Sequence, residues 1–160
     1  MIAADTSALV TLATIDLLDT FFTEFDVHTT ETVVDELEVT AEYDDSHGDA
    51  AKTVLDHLDR ITVHRINSEF SSSRVDAGEG SCACLTQELD MEFLITDDLR
   101  AVPELQTIAD ARVAISPIIL KALANRDVLT REEALGKLET AAEQRDWLES
   151  PIYRKAKDLF

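Results

Sequence analysis

The chain has 160 residues, 45% of them hydrophobic, with 33 acidic against 14 basic side chains and a formal net charge of −19. Such a length and apolar content fit one compact domain over residues 1–160 and argue against a disordered polymer. The charge argues against broad electrostatic binding of nucleic acid while leaving room for a local basic groove, and Cys82 and Cys84, the only cysteines, form neither a disulfide framework nor a four-ligand zinc site by themselves.

The opening residues Met1 to Asp5 contain no basic stretch of the kind that begins a secretory signal, and no apolar run nears the roughly 20 residues that cross a bilayer. A soluble protein in a reducing, cytoplasmic setting is the expectation. Ile2 to Ala4 reads as a short strand, after which Leu9, Leu12, Ala13, Leu17, Leu18, Phe21, Phe22 and Phe25 recur at helical spacing in two pieces. Asp26-Val27-His28 fits a second brief strand. Thr30 suits the N-cap of a helix through about Val39, with Val33, Val34 and Leu37 on its buried stripe and Glu36 at the stripe's border. Thr40 to Asp49 reads as a solvated acidic loop before a helix from about Ala50 to Leu58.

Ile61 to Ile66 alternates as a strand should, and the serine-rich stretch Asn67 to Arg74 reads as a surface loop. Asp76 and Glu79 stand in capping-box register at the head of a helix that ends near Asp90, with Cys82, Leu85 and Leu89 on its apolar side. Phe93 to Thr96 is the next strand. A helix over Leu99 to Ile108 meets Pro103 near its start, Arg112 to Ile115 forms a further strand, and Pro117 suits the first turn of a helix through Ala124. Thr130 and Glu133 make a second capping box, and the tail from Ser150 reads as a last short helix. Strands alternating with helices predict an α/β sandwich whose mostly parallel sheet is covered on both faces.

In such a sheet a ligand sits beyond the carboxyl ends of the strands. Asp5 lies just past the first strand, and Asp97 and Asp98 just past Phe93 to Thr96; Glu79 and Glu36 can face the same crevice from their helices. Taken singly, Asp5, Asp76 and Asp98 read as N-caps, Glu79 as a capping-box member and Glu36 as a helix-border residue. Their joint placement favours a shared site. Convergent carboxylates repel until some bind protons, a difficulty that a divalent cation removes, and ligation by oxygen alone favours Mg²⁺ or Mn²⁺ over zinc.

These residues carry a resemblance. Ile2-Ala3-Ala4-Asp5-Thr6-Ser7-Ala8-Leu9 resembles the opening motif of PIN-domain ribonucleases, Val33-Val34-Asp35-Glu36-Leu37 the second, Asp76-Ala77-Gly78-Glu79-Gly80 the third in its Gly-Glu form, and Leu94-Ile95-Thr96-Asp97-Asp98 the fourth. The helix after Thr130 and the segment from Trp147 to Tyr153 are similar to those of VapC-like toxins. The resemblance implies a three-layer α/β/α sandwich and a metal-dependent endoribonuclease, the toxin of a toxin–antitoxin pair or a related RNA-processing nuclease, with RNA as substrate, an antitoxin protein as partner and a homodimeric assembly. It implies Asp5, Glu36, Glu79 and Asp98 as the catalytic, metal-binding acids and Asp97 as an accessory ligand. Ser7 and Thr96 would be polar supports and, with Arg100, candidates for contacting substrate. Arg74, Arg112, Lys121 and the cluster Arg154, Lys155 and Lys157 are further candidates for holding phosphates. Glu79 departs from the commoner Asp, and the spacing leaves both Asp97 and Asp98 open as the ligand. A competing class is a PIN-like binding module that regulates by partner contact without cleavage.

The excess of acid, together with more Arg than Lys among the cations, resembles the composition of proteins from salt-loving archaea. Cys82 and Cys84 read as small core fillers. Ser7 stands where a haloacid-dehalogenase phosphatase needs a second Asp, and no Gly-rich phosphate loop or Gly-x-Ser-x-Gly elbow occurs.

Overall fold

In the computed structural model, which describes residues Met1–Phe160, the apolar triplet Ile2–Ala4 is β1, and every residue of it is buried. Four further strands join it: β2 (Val27–Thr30), β3 (Thr62–His64), β4 (Phe93–Ile95) and β5 (Arg112–Ala114). All pairings are parallel and the order is β3-β2-β1-β4-β5. The chain thus steps outward from β1 in one direction, returns, and steps outward in the other, so the order reverses between β1 and β4.

Right-handed crossovers then assign the layers. The helices that leave β1 toward β2 and β3 are α1 (Thr6–Thr14), α2 (Leu18–Glu24), α3 (Glu31–Thr40) and α4 (Ser46–Leu55). The connections that run the other way carry α5 (Ala77–Glu88) and α6 (Val102–Ile108) onto the opposite face, where α5 packs across β1, β2 and β4. Three C-terminal helices follow: α7 (Pro117–Asn125), α8 (Arg131–Gln144) and α9 (Pro151–Lys157), with α8 packed on α7 and α1. The layers close over a cluster of 40 buried apolar residues, in which Cys82 lies under β1 and donates its thiol to the Ala4 carbonyl at 3.7 Å. No single helix is long and apolar enough to cross a membrane.

Local chemistry sets most boundaries. The Asp76–Glu79 and Thr130–Glu133 capping boxes are both complete, with each N-cap side chain accepting from the N3 amide and each glutamate accepting from the N-cap amide. Thr30 caps α3 through the Val33 amide. Three expectations shift. The acidic stretch 40–49 is only half loop, because Asp45 accepts from the Gly48 amide and starts α4 at Ser46, four residues before Ala50. The helix expected from Leu99 begins at Val102, with Pro103 in its first turn. The strand over Ile61 to Ile66 shrinks to Thr62–His64, because a 3-10 turn, Leu58–Arg60, precedes it and its partner β2 ends opposite His64, at Thr30.

Three helices end on an aspartate with positive φ in the position after the C-cap: Asp16 after α1, Asp127 after α7 and Asp146 after α8, at 51°, 59° and 56°. That left-handed position usually belongs to Gly or Asn.

With so large an excess of carboxylates, self-repulsion weakens the folded state whenever screening is poor. The melting temperature is expected to rise steadily as KCl goes from about 0.1 M to about 1 M, where the screening length falls from roughly 10 to 3 Å. A flat profile in scanning calorimetry would contradict this reading of the composition.

Candidate active site

The reversal between β1 and β4 opens a crevice at the carboxyl ends of those strands, the position where doubly wound sheets accept ligands. Asp5 stands at its floor. The residue leaves β1, bonds its amide to the Ile95 carbonyl at 3.1 Å, and serves as N-cap of α1 by accepting from the Ala8 amide at 2.9 Å. The Ser7 hydroxyl donates to the same carboxylate at 2.8 Å and the Thr96 hydroxyl at 2.6 Å. Only 2% of Asp5 is exposed. Burial raises its pKa from 3.8 to about 7 and Asp97 adds to the rise, against the lowering effect of the Thr96, Ala8 and Ser7 bonds.

Glu79 is buried in the first turn of α5, with Oε2 accepting from the Asp76 amide at 3.0 Å. Burial lifts its pKa from 4.5 to about 8; the Asp76 amide opposes this, while the charges of Asp76, Asp5 and Asp98 add to it. Glu36, half-buried on α3, accepts from the Thr6 hydroxyl and, at 2.9 Å, from the Gly78 amide. Its pKa is raised, chiefly by burial. Gly78 leaves the room that the Glu36 carboxylate occupies, since a Cβ at that position would fall 2.3 Å from Glu36 Oε2.

The two adjacent aspartates diverge. Asp97 turns into the protein, where both oxygens are taken by Ser116, from its amide at 2.7 Å and its hydroxyl at 2.8 Å; the Asp97 amide in turn donates to Ser7 Oγ at 2.9 Å. Burial raises its pKa. Asp98 is held through its amide by Thr96 Oγ1 at 3.2 Å, and its carboxylate meets only Arg100, through the amide at 2.9 Å and the guanidinium at 3.3 Å. It is the member of the pair whose charge reaches Glu79.

Asp5, Glu36, Glu79 and Ser7 border a cleft of about 390 Å³, and Asp76, Tyr43 and Arg145 stand along it too. Thr96 is fully buried, its hydroxyl committed to Asp5, so it supports the acid from behind. Arg100 is exposed at the Asp98 edge. Among the other cations, Arg74 is exposed in the serine loop, Lys121 lines a separate hollow with Met1 and Phe93 at the amino ends of the strands, and Arg112, Arg154, Lys155 and Lys157 are exposed away from the cleft. Arg145, at the C-terminal cap of α8, is the one lysine or arginine on the cleft wall, and the motif spacing gave no hint of it. A helical period does not report which way a cap residue's side chain leaves the helix.

No group of three His, Cys, Asp or Glu side chains is already closed to metal-ligating distance. The donor chemistry nevertheless fits a hard cation: every candidate ligand is a carboxylate, two have pKa values lifted to about 7 and about 8, and Glu79 Oε1 accepts no hydrogen bond, while both oxygens of Asp5 and of Glu36 accept from amides and hydroxyls and those of Asp98 from Arg100.

The family whose model matches the chain is described as DUF3368, PIN domain, and the match covers residues 1–160. No curated protein and no solved structure matches at a significant level.

The buried acids make stability depend on pH in a defined direction. Asp5 binds its proton more tightly folded than unfolded, so its contribution is complete below about pH 3.8 and is lost as pH rises to about 7, at up to about 1.4 kcal/mol per unit. In EDTA, the melting temperature of the wild type should fall between about pH 5 and pH 8, and Asp5→Asn should flatten that fall. Equal slopes in the two proteins would exclude Asp5 as the source.

Proposed function

The chain belongs to the PIN-domain family, whose fold is nuclease-like and whose members are generally nucleases, and on that premise we propose that it is a metal-dependent endoribonuclease hydrolysing RNA phosphodiester bonds. What supports this most is the meeting of acids from four separate segments at one switch point, two of them so desolvated that they hold protons near neutrality unless a cation joins them. Asp5, Glu36, Glu79 and Asp98 are the residues that would hold Mg²⁺ or Mn²⁺, with Asp97, turned into the protein onto Ser116, as the accessory acid behind them. The bound ion would supply an activated water and neutralise charge on the attacked phosphate.

The remaining work falls to this chain's own groups. Ser7 and Thr96 orient the Asp5 carboxylate, Thr6 and the Gly78 amide orient Glu36, and the Asp76 amide orients Glu79. Arg100, with its guanidinium largely in solvent, can leave Asp98 for a substrate phosphate. Tyr43, 59% exposed at the mouth, offers a face on which an unpaired base can stack. Within this reading the protein acts in the cytoplasm as a VapC-like toxin, assembles as a homodimer and is silenced by an antitoxin that blocks the cleft. Its acidity fits a salt-rich cell interior, where phosphate and carboxylate repel each other least.

The test is cleavage of RNA by inhibitor-free protein with Mn²⁺ or Mg²⁺, at low and near-molar KCl. Asp98→Asn and Asp5→Asn should each reduce the rate by about 100-fold or more, whereas Asp97→Asn should lower the melting temperature more than the rate. Protein that cut no RNA at any salt and bound no divalent ion would instead be a non-catalytic PIN-like module acting through RNA or partner binding.

A further inference from the structure

Arg145 has a setting unlike that of the chain's other arginines. Arg60, Arg100 and Arg126 each pair with a carboxylate within 4.0 Å, and the arginines without such a pair, Arg65, Arg74, Arg112, Arg131 and Arg154, are exposed to solvent. Arg145 faces the acidic cleft, yet its guanidinium forms no ion pair and no hydrogen bond, and its Nε is buried with no partner at all. The carboxylates whose charge acts on it are Asp97 and Asp5. In a chain with 33 acidic residues, a desolvated cation without a carboxylate partner is expensive. Its backbone, by contrast, is firmly seated: the amide bonds to Ala141 at 2.8 Å, Asp146 turns the chain with φ 56°, and the flanking Ala141, Ala142 and Trp147 are buried. The side chain is therefore presented to the cleft from a rigid base, across a gap from Asp5.

A site made of carboxylates repels the phosphodiester it must hold, and a guanidinium on the facing wall is the group that offsets this, because its planar fork matches two phosphate oxygens. We propose that Arg145 seats the scissile phosphate of the nucleic acid against the acids, with its unpartnered donors directed at the non-bridging oxygens. This rests on the phosphodiesterase reading above. Arg100, exposed and paired with Asp98, would then guide the strand, and Arg145 would hold the reacting group.

The experiment uses the full chain as wild type, Arg145→Ala and Arg145→Lys. It measures three quantities: Mn²⁺ affinity by calorimetry, affinity for a non-cleavable phosphorothioate oligonucleotide by anisotropy, and the single-turnover cleavage rate. Arg145→Ala should weaken oligonucleotide binding by about 10-fold and cleavage by about 100-fold, with Mn²⁺ affinity unchanged or tighter. Arg145→Lys should recover part of the binding. Oligonucleotide affinity that stayed at the wild-type level in Arg145→Ala, measured below its melting transition, would overturn the proposal, and so would a loss of Mn²⁺ affinity matching the loss of oligonucleotide. If the wild type bound oligonucleotide but cleaved nothing, the nuclease reading would fail, while the affinity difference between wild type and Arg145→Ala would still decide the role of Arg145.

Discussion

Two hydroxyls and one amide converge on the Asp5 carboxylate, and the rest of the site depends on that convergence. The Ala8 amide comes from the helix that Asp5 itself caps, the Ser7 hydroxyl from the first turn of that helix, and the Thr96 hydroxyl from the end of the neighbouring strand. With the bond from the Asp5 amide to Ile95, they lock the ends of β1 and β4 together at the place where the strand order reverses. A sheet that diverges at this point leaves a crevice, and the lock fixes its width.

The acids around the crevice would not remain there if each were alone in a medium of low dielectric. Helix N-termini make them tolerable. Asp5 sits at the head of α1, Glu79 in the first turn of α5, and Asp97 accepts from Ser116, the residue that opens α7. Amides with no partner inside the helix point at each carboxylate, and the positive end of the helix dipole acts on it. A parallel sheet brings those helix starts to its carboxyl edge, so the architecture that gathers the acids also supplies the groups that partly stabilise them. Burial outweighs these groups at Asp5 and Glu79, whose pKa values stay raised.

The legible part of this arrangement was the part written in short range. Asp76 with Glu79, Thr130 with Glu133, and Thr30 before Val33 announce helix starts because a cap involves residues within one turn, and the apolar runs ending at Asp5 and Asp97 announce strand tips. Asp45 was harder to recognise as a cap, since an acidic run reads equally well as solvated loop. Ser116, nineteen positions downstream, takes both oxygens of Asp97, whereas the Asp98 carboxylate meets only Arg100, a difference between neighbours that no local pattern reports. Arg145 joins the acidic wall only through the docking of α8 on α1, a tertiary contact with no local signature.

The aspartates at 16, 127 and 146 bear on how the molecule meets its solvent. Each puts an anion in the left-handed position at the negative end of a helix, where a glycine would be neutral and unstrained. Like charge then meets like at each of those three helix ends, a local repulsion that shrinks as added salt screens it. One of the three directly follows Arg145, so the end of α8 that carries that side chain is among the segments whose stability depends on ionic strength.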